Sequence, residues 1–212
     1  MEYSNFHVMR TAEWIPIKIC RIIKTFKYSL WVFTSICYDL LRRLRQIRRE
    51  IMIQLVMSLV ISRIDYCNSV LVGLAASTLT PLQRVHNAAA RLILRLSRSH
   101  ITPALKQLYW LAIKFCITFK VATLMYNIFC QHSPSYLKDL VAFSPSAHQH
   151  QLRSSTTRSA VVHRTRTQLS RCTFSVSGPY VWNSLPTHIR LIDSQPAFRR
   201  ALKTHLFNIA FN

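Results

Sequence analysis

The sequence predicts a mainly α-helical protein: a helical bundle, then a basic C-terminal arm of short extended segments and a final helix. Half of the 212 residues are hydrophobic, which is enough for a buried core, and two residues are glycine. So little glycine disfavours turn-rich β-sandwiches and glycine-rich phosphate loops. Apolar residues also recur at three- and four-residue spacing through much of the chain, which is typical of amphipathic helices.

Residues 1–35 are predicted to form a separate N-terminal extension. Within it, Lys18, Arg21, Lys24 and Lys27 follow one another at three-residue intervals among apolar neighbours. This pattern is typical of a basic amphipathic helix that lies on a membrane or on a partner, so residues 17–35 are a candidate membrane-surface segment. A poorly ordered extension is the interpretation that we favour.

Residues 36–143 are predicted to form the helical region. Apolar residues at helical spacing predict a first helix from Leu40 to Leu55, with Asp39 as its N-cap. The next helix is predicted to have Thr80 as N-cap and Pro81 as its first residue, where the missing N–H of proline is harmless.

Two further starts are predicted in the same region. Thr102 and Pro103 repeat the Thr-Pro pattern, and a short helix is expected to begin at Ser133 or Ser135. Between them, the stretch "IKFCITFKVATLMYNIFC" is apolar on nearly all sides, which predicts a central helix.

Residues 144–155 are predicted to be a polar linker, and residues 156–212 the basic C-terminal region. Alternating residues in "AVVHRTRTQLSRCTFSVSG" predict short extended segments, and "GPYVWNSLP" a turn with a Trp-anchored loop. Ser194 is the expected N-cap of the final helix. Gly73 and Gly178 are expected at chain reversals that need a positive φ.

Positive charge is the strongest functional signal. Twenty-eight Lys and Arg residues against seven Asp and Glu leave a net charge of +21. Such a surface favours a polyanionic partner, which is the backbone of RNA or DNA or else an anionic membrane surface. The predicted nucleic-acid-binding residues are Arg42, Arg43, Arg45, Arg48, Arg49, Arg84, Arg91, Arg95, Arg98, Arg164 and Arg166. Tyr109, Trp110, Phe174 and Trp182 are aromatic residues that can either stack on bases or pack in the core.

Catalytic and metal sites are not predicted. No two carboxylates are closer than 11 positions in sequence, which disfavours a two-metal nucleotidyl-transfer site. Phosphate-loop, dinucleotide-binding, zinc-protease and serine-hydrolase motifs are absent from the sequence. Cys67 with His86 is a weaker candidate for a nucleophile than for a buried structural thiol. Cys130, His132, His148 and His150 have one-residue gaps, where zinc ligands usually have two to four.

Several separate blocks occur in one order along the chain: "SRIDYCNSVLVGL", "TPLQRVHNAAARLIL", "ITPALKQLYWL", "SPSYLKDLV", "HRTRT", "FSVSGPYVWNSLPTHIR" and "FRRALKTHLF". Together they resemble the C-terminal thumb and tail region of reverse transcriptases encoded by jockey-like, LINE-type (non-LTR) retrotransposons. The resemblance extends from about Ile36 to Phe207. Ala112 and His163 stand where this family has proline.

The resemblance implies a thumb-like helical bundle that helps to hold RNA template and primer. The family's catalytic Asp-Asp strand has no counterpart here, so no catalytic residue carries over, and the expectation is a truncated remnant of the polymerase without activity of its own. Under this resemblance, Asp65 beside Arg63 is interpreted as a helix-end polar pair. A membrane-surface or protein-interaction role, and an unstable open reading frame without function, are the alternatives.

An intracellular location, in nucleus or cytoplasm, is expected. The six cysteines are scattered without a Cys-x-x-Cys motif, which favours free thiols in a reducing compartment. No secretory signal is evident. The apolar stretch Tyr28–Tyr38 is shorter than the roughly 20 residues that span a bilayer, so no transmembrane segment is predicted.

Overall fold

The computed structural model describes residues 30–67, 71–96, 100–143 and 158–211. Of these residues, 72% are helical and none lies in a strand, although Phe143 and Ala160 form an isolated antiparallel bridge. The predicted mainly α fold is therefore confirmed.

The helices within the described ranges are numbered in chain order. They are α1 (30–44), α2 (Arg49–Leu55), α3 (Ser62–Cys67), α4 (Ala76–Leu94), α5 (Ile101–Leu108), α6 (Ile113–Phe129), α7 (Ser135–Lys138), α8 (Gln168–Arg171), α9 (Phe174–Asn183), α10 (Thr187–Arg190) and α11 (Gln195–Phe211). A π-helical stretch, Val56–Ile61, joins α2 to α3 without a break.

Two hydrophobic clusters form the core, and α6 contributes to both. Ile117 and Val121 of α6 pack in the first cluster, with buried residues of α1 through α4. Met125 and Tyr126, one turn further on, pack in the second cluster with α9, α10 and α11. The prediction of a central apolar helix is confirmed, because its two halves face two different sets of helices.

The described residues on either side of the predicted linker pack together. Val141 and Ala160 are both buried in the second cluster, whereas the linker itself, 144–155, lies outside the described residues. The predicted boundary between residues 35 and 36 falls inside α1, whose Leu30 is already buried in the first cluster.

One segment, Ile101–Phe129, is long and apolar enough by composition to cross a membrane, among the residues that the structure describes. This segment is not one helix. It consists of α5 and α6, which are separated because Tyr109 has a φ of 55° and residues 110–112 are not helical. The side chain of Gln83 in α4 accepts a hydrogen bond from the Ile113 backbone N–H at 2.8 Å and so caps α6. The second half of the segment is thus the core helix described above.

The predicted helix starts need two corrections. Asp39 lies inside α1 and is not an N-cap, and the chain is non-helical between Leu44 and Arg49. Pro81 lies inside α4, which begins at Ala76. Pro81 is the sixth residue of α4, so the Ser77 carbonyl has no intrahelical N–H donor, and Thr80 directs its hydroxyl back to the Ala76 carbonyl at 2.9 Å instead of capping.

The C-terminal region is more helical than its alternating pattern predicts. Residues 158–165 are non-helical and include the isolated bridge at Ala160, but Gln168–Arg171 and Phe174–Asn183 are helices, so the turn and loop predicted at "GPYVWNSLP" are wrong. Burial explains this, since Gly178 and Trp182, four positions apart in α9, are both buried. Gly73 has a positive φ of 75°, as predicted, whereas Gly178 lies in α9, where a Cβ would come within 2.9 Å of the Met125 sulfur.

Side chains of α9 and α10 hold the non-helical segment at residues 158–160. Asn183 accepts a hydrogen bond from the Ala160 N–H at 2.9 Å and donates one to the Ala160 carbonyl at 2.8 Å. Trp182 donates its indole N–H to the Arg158 carbonyl. The buried guanidinium of Arg190 donates to the Ser159 hydroxyl at 3.1 Å, and burial lowers its pKa. The arm is therefore bonded to the second cluster along its backbone.

Candidate nucleic-acid interface

A furrow runs between α1 and α4. It consists of three adjoining cavities of about 680, 300 and 300 Å³. The first two share Arg45, Ala88 and Leu92, and the second and third both include Tyr38, so the three adjoin in turn along α1 and α4. We call this surface the α1–α4 furrow.

Five arginines line the α1–α4 furrow. Arg42 and Arg45 come from the end of α1, and Arg84, Arg91 and Arg95 come from α4. On α4 they recur at seven- and four-residue spacing, which places them on one helix face. The rise from Arg84 to Arg95 is about 16 Å, which matches about five stacked nucleotides of one strand.

Two aromatic side chains lie among these arginines. Trp31 is 64% exposed and Tyr38 is 41% exposed, and both line the furrow. Burial raises the pKa of Tyr38, while the nearby charges of Arg84 and Arg91 act in the opposite direction. Exposed rings beside guanidinium groups are the combination with which proteins stack unpaired bases and hold the phosphates between them.

The furrow arginines keep their charge available for a ligand. The ion pairs formed by described residues are Lys120 with Asp65 and Arg158 with Asp193, and neither involves the furrow. The Nε of Arg91 is buried without a hydrogen-bond partner among the described groups. Arg95 ends α4 in the left-handed conformation, with a φ of 53°, and the Leu96 N–H donates to the Arg91 carbonyl at 2.9 Å, as at many helix C-termini.

The other predicted binding residues lie elsewhere. Arg43, Arg48, Arg49, Arg164 and Arg166 are exposed but do not line the furrow. Arg98 lies outside the described residues, as do residues 17–29 of the candidate membrane-surface segment. The structure thus brings together five of the eleven arginines that charge alone selects.

Of the aromatic residues predicted to stack or to pack, some are buried in the core and others are exposed. Trp182 is fully buried in the second core cluster, so it cannot stack on a base, whereas Tyr109 is 45% exposed. Sequence reasoning missed the furrow aromatics Trp31 and Tyr38. The sequence does contain a signal for them. Trp31 and Tyr38 are seven residues apart, which is two helical turns and places them on one helix face, and Arg42 and Arg45 follow shortly after.

The predicted pairing of Asp65 with Arg63 is wrong, because Asp65 pairs with a different residue. Asp65 accepts a charge-assisted hydrogen bond from Lys120 of α6 at 3.0 Å, and Arg63 is exposed. The pairing joins α3 to the central helix across 55 positions of sequence. Asp65 therefore pairs α3 with α6 at the protein surface.

Cys37 and Cys116 are unlike reactive cysteines, because the pKa of each thiol is raised. Burial raises the pKa of Cys37 to about 11, against the opposing charge of Arg63, and that of Cys116 to about 12. Both thiols stay protonated at neutral pH, and a protonated thiol is a poor nucleophile and metal ligand. The side chain of Cys67, and His148 and His150, lie outside what the structure describes; within it, no three His, Cys, Asp or Glu side chains cluster.

His86 is buried and neutral. It is 4% exposed, its ring lies 5.0 Å from that of Trp110, and its Nδ1 has no hydrogen-bond partner among the described groups. Burial lowers its pKa from 6.5 to about 4. An unfolded chain therefore takes up a proton between pH 6.5 and 4 that the folded protein does not, so stability falls as pH falls through this window.

We expect His86 to make the protein acid-sensitive. Between pH 7 and pH 4 its protonation in the unfolded state should lower the free energy of unfolding by about 3 kcal/mol. Urea denaturation at both pH values measures this change. His86→Phe keeps a ring in the site without the titrating nitrogen, so its pH dependence should be about 3 kcal/mol weaker. Equal slopes for the two proteins would contradict the assignment.

Comparison of the sequence and the structure with protein-family models, with curated proteins and with solved structures finds no match.

Proposed function

We propose that this protein binds single-stranded nucleic acid in the α1–α4 furrow, with little sequence preference. The observation that carries the proposal is the convergence of five arginines and two exposed aromatic rings on one furrow, with none of these arginines in an ion pair among the described residues. Arginines contact phosphates of any sequence, and every base offers a face for stacking. Among the described residues that line the furrow, none has an amide side chain that could read base edges, which agrees with sequence-tolerant binding.

The ordered sequence blocks support the same ligand class. They resemble the thumb and tail of LINE-type reverse transcriptases, a region that helps to hold template and primer. Two of the furrow arginines, Arg84 and Arg91, fall inside the block "TPLQRVHNAAARLIL". We infer that the chain is a relative of that region, and that it binds nucleic acid without polymerising it, since its sequence contains no Asp-Asp pair.

Salt dependence tests the proposal. If all five furrow arginines contact phosphates, the logarithm of the association constant should fall with the logarithm of salt concentration with a slope of about −3.5 for a single strand. Between 50 and 200 mM salt, the affinity for a fluorescent twelve-nucleotide oligo(U) or oligo(dT) should then fall about 100-fold. Fluorescence anisotropy measures both quantities.

The comparison between oligonucleotides separates this proposal from simple charge attraction. Oligo(U), oligo(dT) and a mixed-sequence strand should bind within a few-fold of one another, and more tightly than inorganic polyphosphate of equal charge, because only the oligonucleotides stack on Trp31 and Tyr38. No binding at 50 mM salt, or polyphosphate binding as tightly as oligonucleotide, would reject the proposal.

A further inference from the structure

A second cavity lies on the other side of α4 from the furrow. It has a volume of about 310 Å³ and opens between the loop that follows α5, the first turns of α6, and α11. His86 contributes to it from α4, two positions from both Arg84 and Ala88, which corresponds to about 200° of rotation around the helix. The α5–α11 cleft, as we call this cavity, is therefore separate from the α1–α4 furrow.

The walls of the α5–α11 cleft are aromatic. Tyr109, Trp110 and Phe119 line it, and the Trp110 ring lies 5.0 Å from the His86 ring. Tyr109 ends α5 with a φ of 55°, so that the chain turns and places Tyr109 and Trp110 on consecutive positions of the same wall. A concave aromatic site of about 300 Å³ is the size that small ligands occupy.

The charge at the cleft is positive. Lys203 lies 4.4 Å from the centre of the Tyr109 ring, and Arg199 lies 5.9 Å from that of Phe119. Asp65, the carboxylate in this lining, is neutralised by Lys120 at 3.0 Å. Two cations one helical turn apart on α11 therefore face the cleft with no acid paired to either among the described residues.

One polar group behind the lining of the cleft is unsatisfied. His86 is 4% exposed, and its Nδ1 is buried from solvent without a hydrogen-bond partner among the described groups. A buried polar atom without a partner costs about 1–3 kcal/mol, so His86 lowers the stability of this part of the core. The neighbouring Cys116 thiol already donates to the Leu111 carbonyl at 3.3 Å and does not supply one.

We propose that the α5–α11 cleft binds a planar heteroaromatic ring that carries an anionic group, of the size of a nucleoside monophosphate. The ring lies against Trp110 and Phe119, where stacking and apolar contact stabilise it. Its anionic group is bound by Arg199 and Lys203, which form charge-assisted hydrogen bonds with phosphate oxygens.

Titration calorimetry of the full chain with adenosine 5′-monophosphate tests the proposal. Saturable binding is expected, with adenosine and inorganic phosphate each at least tenfold weaker, because each lacks one half of the recognised chemistry. The double variant R199Q/K203Q should lower the affinity for adenosine 5′-monophosphate at least tenfold. Its matched control is R171Q/R200Q, which removes two exposed arginines that do not line the cleft and should bind like the unmodified chain.

A variant of the α1–α4 furrow tests whether nucleotide binding in the cleft is independent of oligonucleotide binding in the furrow. R91Q/R95Q should bind adenosine 5′-monophosphate normally while losing affinity for oligo(U). The proposal is overturned by the absence of saturable binding, by phosphate binding as tightly as the nucleotide, or by equal losses in R199Q/K203Q and R171Q/R200Q. Loss of nucleotide binding in R91Q/R95Q but not in R199Q/K203Q would also overturn it, by placing the nucleotide in the furrow.

Discussion

Charge reversal at Arg91 and Arg95 is expected to lower the affinity for oligo(U) by about 10²–10³ at 50 mM salt. Both side chains line the widest part of the α1–α4 furrow, together with Arg45. R91E/R95E removes two phosphate contacts, each worth about tenfold or more, and adds two negative charges beside the strand. The slope of the salt dependence should also flatten, from about −3.5 to about −2, because three arginines remain.

The control for this prediction is R43E/R48E. Arg43 and Arg48 come from the same stretch of chain as Arg42 and Arg45 and are exposed, but they do not line the furrow. The net charge changes equally in the two variants. If binding depends on the furrow, R43E/R48E should lose less than tenfold; equal losses would mean that oligonucleotide binds to the general positive surface.

Folding must be checked in the same experiment, because Arg91 and Arg95 lie at the C-terminal end of α4. Glutamate there meets the negative end of the helix dipole and costs about 0.3–1 kcal/mol per residue. R91Q/R95Q avoids this repulsion while removing the same two contacts. A reduced salt slope in R91Q/R95Q, with an unchanged thermal unfolding midpoint by circular dichroism, would assign the effect to phosphate contact.

The candidate site shows what residue pattern alone can and cannot predict. Charge selects eleven arginines, because 28 Lys and Arg residues stand against seven Asp and Glu, but it cannot say which of them share a surface. Arg42 and Arg43 are neighbours in sequence, yet only Arg42 lines the furrow, since adjacent helical residues point about 100° apart. The meeting of α1 with α4 is a tertiary contact, and no local pattern specifies it.

The fold, too, was predictable from the sequence in some elements and not in others. The apolar periodicity of Ile113–Phe129 predicts a central helix correctly, because burial on all sides leaves its own signature. The region from Gln168 to Asn183 contains Gly178 and Pro179, which locally favour a turn, and it is nevertheless helical. Packing of Gly178 against Met125 and of Trp182 in the core outweighs the local preference.

The ion pair of Asp65 shows that the partners of charged residues are also hard to predict from sequence. Arg63 is two positions away in sequence, but residues two apart on a helix do not face each other. Lys120 is 55 positions away and forms the 3.0 Å contact. For a surface pair such as this one, long-range partners can be found only after the helices have been placed.

Trp182→Ala is expected to lower the free energy of unfolding by about 3–5 kcal/mol. Trp182 is fully buried, and its ring centre lies 5.9 Å from that of Phe198 in α11 and 6.3 Å from that of Phe143. Alanine would leave a large cavity among these rings and would also remove the 2.6 Å hydrogen bond to the Arg158 carbonyl. Such a loss is a large fraction of the 5–15 kcal/mol typical of a whole domain, and urea denaturation measures it.

Trp182→Phe separates packing from hydrogen bonding at this site. Phenylalanine keeps most of the aromatic contact but has no N–H, so the Arg158 carbonyl loses its donor and the cost should be about 1–2 kcal/mol. Both variants should still unfold in one transition, because α6 packs Ile117 in one cluster and Met125 in the other and so couples them. A Trp182→Ala protein that loses less than 1 kcal/mol would mean that α9 does not pack in the second cluster, and a split transition would mean that α6 does not couple the two.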